Sequence, residues 1–317
     1  MTPTKCASCG LAASARCVGC MDAPEYKPRD AVDVVYCSTK CQQGHWAIHK
    51  ARCTNLKKRR RLLRVATILR AALLAYREAL FDIPLAKIEL RGGVLHLYRD
   101  PSPDISIRRF PFDLTANVAH KEAALTHNQC TLARSLLGPL ARKLLAGVAS
   151  SVENLDLKIG KPLVPTKLVE RDPSLDFGEG PHTVLKVGMS TASVDEAWII
   201  DPAGTQYGFR DVLVPFERYL ADKRCTGISQ PTPYTANETT DLVVYEALFA
   251  DYMMVRSLKD AHDRQKEGRL HFAAFVNDRV GNGKEFFGST KDLDGSAAEF
   301  QRKFDKWLGE LKAYMEK

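Results

Sequence analysis

Eight metal-ligating side chains crowd the first 53 residues in the string Cys6-x2-Cys9-x7-Cys17-x2-Cys20-x16-Cys37-x3-Cys41-x7-His49-x3-Cys53, and no other feature restricts the fold so tightly. Seven of the nine cysteines lie in it, leaving Cys130 and Cys225 outside. That distribution fits a metal module and not a disulfide framework spread through a secreted domain. Eight ligands fill two tetrahedral sites with nothing to spare, and thiolate with imidazole is a donor set that Zn²⁺ prefers. The Cys-x2-Cys pairs suit tight turns whose backbone N–H groups point at sulfur. Cys37/Cys41 and His49/Cys53 are each four apart, so each pair sits on one face of a helical turn. His45 competes with His49 for the eighth place; the x3 step from His49 to Cys53 repeats that from Cys37 to Cys41, and His49 is taken. Two structural Zn²⁺ are expected, in closed sites with no position for a reactive water.

The string, together with Val35-Tyr36-Cys37 and the run Cys41-Gln42-Gln43-Gly44-His45-Trp46-Ala47-Ile48-His49-Lys50-Ala51-Arg52-Cys53, resembles the MYND finger family. The resemblance covers the first sixth of the chain. It implies interleaved ligand pairs, with one zinc on Cys6, Cys9, Cys37 and Cys41 and the other on Cys17, Cys20, His49 and Cys53. It also implies a protein-interaction module that docks short proline-containing peptides, with Gln42 and Trp46 at helix positions that line the peptide groove. Packing of Trp46 against the finger's own small core is the alternative, and Val18 stands where some members carry a polar, peptide-contacting residue. The stretch Met21–Tyr36 is longer than in compact members; its Pro24, Pro28 and charges predict a surface loop. The Asn-His-Ser-Cys core of methyltransferases that embed such fingers is absent, and His127-Asn128-Gln129-Cys130 does not replace it.

The rest of the chain is long enough to bury a full-sized core. An apolar content of 45% with 26% charged residues argues against disorder over most of its length. No stretch reaches the roughly 18 uninterrupted apolar residues of a membrane span. Met1 to Lys5 runs straight into the ligands, so no secretory signal is expected, and the setting is read as intracellular, nuclear or cytoplasmic. Seven thiolates and two divalent ions bring the formal charge of +8 down to about +5, too modest an excess to point to nucleic acid.

The expected architecture is α+β, a small double-zinc finger over 1–54, a basic amphipathic linking helix over 55–82, and a larger mixed helix and sheet domain over 83–317. Leu62, Leu63, Val65, Ile68, Leu69, Leu73 and Leu74 recur at helical spacing. Lys87–Leu90 and Val94–Tyr98 flank Gly92-Gly93 as a hairpin. Residues 117–150 read helical, and 154–159, 182–187 and 197–200 read as strands. Thr235-Ala236-Asn237-Glu238 and Ser296-Ala297-Ala298-Glu299 fit capping boxes, the second opening a helix with Phe300, Phe304, Trp307, Leu308, Leu311 and Met315 on one face. Gly-rich 280–288 reads as a loop.

Two further signals bear on function. The run Lys57-Lys58-Arg59-Arg60-Arg61 is read as a solvated helix face, with a nuclear-import or phosphate-binding cluster as the alternative. Cys130 lies in a helical pattern, His182 opens an apolar strand, and Asp201 ends the next. A cysteine on a helix with His and Asp on successive strands is the layout of papain-like and transglutaminase-like enzymes, in which imidazole takes the thiol proton and the carboxylate holds the ring. His120 and His127 lie nearer to Cys130 in sequence. Ala197 to Arg210 and Val214-Pro215-Phe216-Glu217-Arg218-Tyr219 resemble the uncharacterised domain that follows N-terminal MYND fingers in many fungal proteins, a likeness that supplies no activity. The leading expectation is therefore an interaction or adaptor protein, with a thiol-dependent hydrolase or acyltransferase using Cys130, His182 and Asp201 as the alternative.

Overall fold

The computed structural model describes residues 5–100, 107–170, 180–190, 195–248, 256–280 and 296–317. A short antiparallel pair, β1 (Ala15–Arg16) and β2 (Val35–Tyr36), opens the finger. The helix that follows, α1, runs unbroken from Thr39 to Ala79. A separate helix over 55–82 is thus not what forms. No proline lies between Thr39 and Ala79, so nothing interrupts the backbone ladder where the finger ends. Ser38 caps its start by accepting a hydrogen bond from the Cys41 N–H at 3.2 Å.

Two further sheets and seven further α-helices make up the rest of the described fold. The hairpin β3 (Leu85–Arg91) and β4 (Val94–Arg99) turns on Gly92 and Gly93, both at positive φ, and β4 pairs in parallel with β6 (Thr166–Val169). The larger sheet is antiparallel throughout, in the order β10 (Thr232–Pro233), β5 (Ser151–Leu157), β7 (His182–Ser190), β8 (Asp195–Ile200) and β9 (Leu213–Pro215). Around them lie α2 (Val118–Thr126), α3 (Cys130–Leu136), α4 (Gly138–Leu145), α5 (Phe216–Asp222), α6 (Thr240–Leu248), α7 (Arg256–Val280) and α8 (Ala297–Met315).

Alternation along β7 divides the core between the two faces of its sheet. Leu185, Val187 and Met189 join α1, α3, α4, α7 and α8 in the main core. Val184, with Ile199 of β8, faces a second cluster that includes Leu155, Leu157, Val214 and Tyr219. His182 shares the parity of Val184 and so belongs to that second face. On α8, Phe304, Trp307, Leu311 and Met315 are buried in the main core, and Phe300 and Leu308 pack against it. Ser296 caps α8 through the Glu299 N–H. Thr235 opens no helix; α6 starts at Thr240, whose hydroxyl accepts from the Asn237 N–H. Beyond Val280, which closes α7, the expected Gly-rich loop lies outside the described residues.

The finger is fastened to this body by the basic run. Arg59 and Arg60 are buried, so the solvated face expected for Lys57–Arg61 is not what forms. Arg59 grips Asp30 of the Met21–Tyr36 loop with both terminal nitrogens at 2.9 Å, and it grips Glu196 of β8 with Nη2 at 2.7 Å and Nε at 3.0 Å. Tyr26 from the same loop packs on Trp198 with ring centroids 5.3 Å apart. Arg60 donates to the carbonyls of Val18 and Met21, and Lys58 to that of Ser190. The long loop is therefore a docking element as well as a surface loop. No helix among the described residues is long and apolar enough to cross a membrane.

Candidate functional site

Two groups of ligand atoms converge in the finger. Cys6, Cys9, Cys37 and Cys41 form one, and Cys17, Cys20, His49 and Cys53 the other, with the atoms of each within 4.8 Å of one another. In the first, Cys37 Sγ lies 3.5 Å from both Cys9 Sγ and Cys41 Sγ. In the second, Cys17 and Cys53 sulfurs are 3.8 Å apart, and His49 Nε2 lies 3.2 Å from Cys20 and 3.3 Å from Cys17. A tetrahedral zinc with Zn–S bonds of about 2.3 Å needs sulfurs about 3.8 Å apart, so both groups fit a zinc ion. Burial and the Cys53 and Cys17 thiolates push the Cys20 thiol far up, a crowding of like charge that a divalent cation relieves. His45 is not in either group; its Nδ1 meets the Tyr36 hydroxyl at 3.0 Å.

The ligands are placed by local structure. Cys41, His49 and Cys53 ride on α1, while Cys17 and Cys20 sit on a tight turn against it. Gly19 is required in that turn, since a Cβ there would stand 2.5 Å from Cys53 Sγ. On the outer side of α1, Trp46 is 41% exposed and Val18 62% exposed, and Gln42 Nε2 reaches towards Cys17 Sγ at 4.0 Å. Trp46 touches His49 edge-on but is not buried in the finger's small core.

A second group lies in the larger domain. His182, the first residue of β7, and Asp201, just past β8, are diagonal neighbours on one face of the sheet. Nε2 of His182 lies 3.0 Å from Oδ1 of Asp201, and both side chains are shut off from solvent. A carboxylate only accepts, so Nε2 carries the proton, and the lone pair of a neutral ring is then on Nδ1. That nitrogen is buried and has no hydrogen-bond partner among the described residues. Cys130 opens α3, which packs on β7; the residue is partly exposed, and its sulfur lies 3.7 Å from the Pro181 carbonyl.

The thiol and the ring act on each other without closing a hydrogen bond at Nδ1. Burial pushes the Cys130 thiol up, but the His182 imidazole, the Thr183 backbone N–H and the Thr131 side chain outweigh it and hold the thiol below its ordinary range. Burial likewise pulls His182 down, but Asp201 and then Cys130 outweigh it and raise the ring to about 10. Burial pushes Asp201 up, yet His182, Tyr219 and Lys223 together hold it below the usual carboxylate value. The alternatives near Cys130 do not compete. Burial drives His127 down to about 4. His120 lines a separate cavity with Arg70, Glu122 and Phe209.

Sequence reasoning passed over Tyr219 and Gly204. The Tyr219 hydroxyl donates to Asp201 Oδ2 at 2.7 Å, and Gly204 follows Asp201 closely enough that a Cβ there would touch the same carboxylate. The segment holding Tyr219 stood out only as a likeness, and nothing in its residues points to Asp201.

The fold and the two closed clusters define a zinc-finger protein with an α+β body. The family model of the MYND finger matches residues 6–53, so that segment is a MYND finger, a zinc-binding module of the kind that mediates protein interactions. No curated protein and no solved structure matches the chain.

Proposed function

We propose that the protein is a thiol-dependent acyl-transfer enzyme, a hydrolase or acyltransferase, anchored to its partners by the MYND finger. One observation carries the reading: Asp201 holds Nε2 of a wholly buried His182, which leaves Nδ1 for a thiol at the start of a helix. The Cys130 thiolate attacks the acyl carbon of an ester or amide. The bond to the leaving group breaks, and that group takes the proton from His182 Nδ1. An acyl thioester remains on Cys130. Water or an amine then attacks it, His182 accepts the attacking group's proton, and the thiolate leaves. Asp201 keeps the ring in one tautomer and stabilises its charged form throughout.

The test is acylation of the full-length, zinc-loaded protein by p-nitrophenyl acetate, read by mass spectrometry of the Cys130 peptide. Acetylation concentrates at Cys130, and His182→Ala slows it by about 10²-fold or more. Labelling that is no faster at Cys130 than at Cys225, and indifferent to His182→Ala, removes the reading.

For the finger, we propose docking of proline-containing peptides across Gln42 and Trp46, which the exposure of Trp46 beside Val18 supports. Titration of the full chain with proline-containing peptides tests this. Trp46→Ala then weakens binding about tenfold or more while two zinc ions stay bound. Wild-type affinity in that variant rules the groove out.

A further inference from the structure

The carboxylate of Asp201 is fixed from both ends. Oδ1 accepts from His182 and Oδ2 accepts from the Tyr219 hydroxyl. Tyr219 is wholly buried in the second core face, where a phenol needs a partner for its one proton, and it gives that proton to Asp201. On the remaining side Gly204 leaves room that a methyl group would remove, with a Cβ 2.5 Å from Oδ2. None of these features is needed to close the sheet, since β8 pairs through its backbone.

We propose that Tyr219 is a positioning residue for the line Cys130–His182–Asp201: its hydroxyl fixes the Asp201 carboxylate and keeps it ionised, so that His182 turns Nδ1 towards Cys130. This rests on the thiol-chemistry reading above. A buried Asp beside a buried imidazole has two states, an ion pair or a neutral pair in which the carboxyl has taken the ring proton. A donor on Oδ2 favours the charged carboxylate. Losing it lets the neutral pair compete, and the charged ring that stabilises the Cys130 thiolate is lost.

Among the described residues, the charged and titratable groups around the line are few. Asp201 faces His182 from β7 and, from α5 and its end, Tyr219 and Lys223; Cys225, just beyond, also bears on it. Lys223 is itself under the influence of Asp211 and Asp222, and its Nζ lies 4.7 Å from the Tyr219 ring centre. His182 faces Asp201, Cys130 from α3, and the edge of the Tyr207 ring. Burial and Asp201 together push the Tyr219 phenol well up, so it stays a donor at any working pH.

The experiment is alkylation of the full-length, zinc-loaded protein by iodoacetamide, followed at Cys130 by peptide mass spectrometry across the pH range. Cys225 is an internal reference, because burial lifts that thiol to about 11. Wild-type Cys130 reaches its plateau rate at a lower pH than an ordinary thiol does. Tyr219→Phe moves the profile up by about one unit, a loss of about tenfold on its rising limb, and leaves the high-pH plateau within about twofold. Gly204→Ala, which crowds the same carboxylate, does likewise. Fluorotyrosine at position 219 keeps the packing and strengthens the donor; it moves the profile towards lower pH, and it decides the matter if Tyr219→Phe does not fold. A purely structural role raises or lowers the rate at every pH instead, and that result overturns the proposal. So does an unmoved profile in the Tyr219 variants while His182→Ala shifts it, an outcome that leaves the thiol reading standing. A wild-type Cys130 that titrates as an ordinary thiol and ignores His182→Ala removes both.

Discussion

Arg59 on α1 and Glu196 on β8 form a buried ion pair, Nη2 to Oε1 at 2.7 Å, and through it the helix that carries three zinc ligands is locked to the strand that leads into Asp201. Glu196 is 4% exposed, and its other donor is the Trp198 indole. Removing the guanidinium leaves a buried carboxylate, and Arg59→Met is expected to cost about 3–5 kcal/mol. Arg59→Met with Glu196→Gln recovers part of that loss, because the charge then left unpaired is that of Asp30, which is only partly buried. Urea unfolding of the two variants checks this. A single variant as stable as wild type would show that the finger is not fastened at this point.

The zinc sites give a stoichiometry. Chelation with release measured by a colorimetric zinc indicator yields two ions per chain, and Cys6→Ser yields one, since the interleaved pairs separate into independent sites. Cys41, His49 and Cys53 lie on the helix that also supplies Leu62, Val65 and Leu69 to the main core. Metal loss therefore unravels the start of α1 and lowers the unfolding temperature of the whole protein. Unchanged thermal stability after full chelation would mean that the finger and the body unfold separately.

How much of this was legible in sequence follows from how local each signal is. The ligand string is local and redundant, so the eight residues could be read from it, whereas their division into two interleaved sites came from the resemblance to the MYND finger and not from the spacing. His182 at a strand start and Asp201 at a strand end could be placed by period and breakers alone, whereas Cys130 read only as part of a helical stretch over 117–150 and its place at a helix start did not show. Their approach in space could not, because it depends on the register of β7 with β8 and on α3 packing across that sheet. The basic run misled for the same reason. Five consecutive cations look solvated unless the partners are known, and those of Arg59 lie 29 positions back and 137 ahead. Likewise nothing local separates the finger helix from the helix after it, because they are one.

Trp46 and Ile48 test whether the finger's exposed apolar residues act in binding or merely protrude. Ile48 is 78% exposed, whereas Trp46 is 41% exposed and flanks His49. Trp46→Ala and Ile48→Ala are both expected to leave stability within about 0.5 kcal/mol, as exposed substitutions do. Only Trp46→Ala weakens capture of proline-containing peptides by the full chain. Equal losses from both would point to a broad apolar contact in place of a groove.

Stability against pH distinguishes a shared proton from two independent groups. Asp201 and Cys130 together raise His182 from 6.5 to about 10 in the fold. A group raised on folding stabilises fully below its unfolded pKa and loses that contribution as pH climbs through the folded one. Taken alone, His182 erodes stability from about pH 6.5 to about pH 10. Cys130 is held below its ordinary 9.0, so its contribution grows until the unfolded thiol also ionises. Above the lowered titration of the native thiol and up to about pH 9, the gain at Cys130 offsets the loss at His182, because the native pair holds one proton on the ring where the unfolded chain holds one on the thiol. Cys130→Ala removes the balance, so the variant loses stability progressively from near pH 6.5, at up to about 1.4 kcal/mol per pH unit. Groups elsewhere titrate alike in both proteins, and the difference between their urea-unfolding curves isolates the pair. Parallel curves across that range would mean that Cys130 and His182 do not share a proton in the native state.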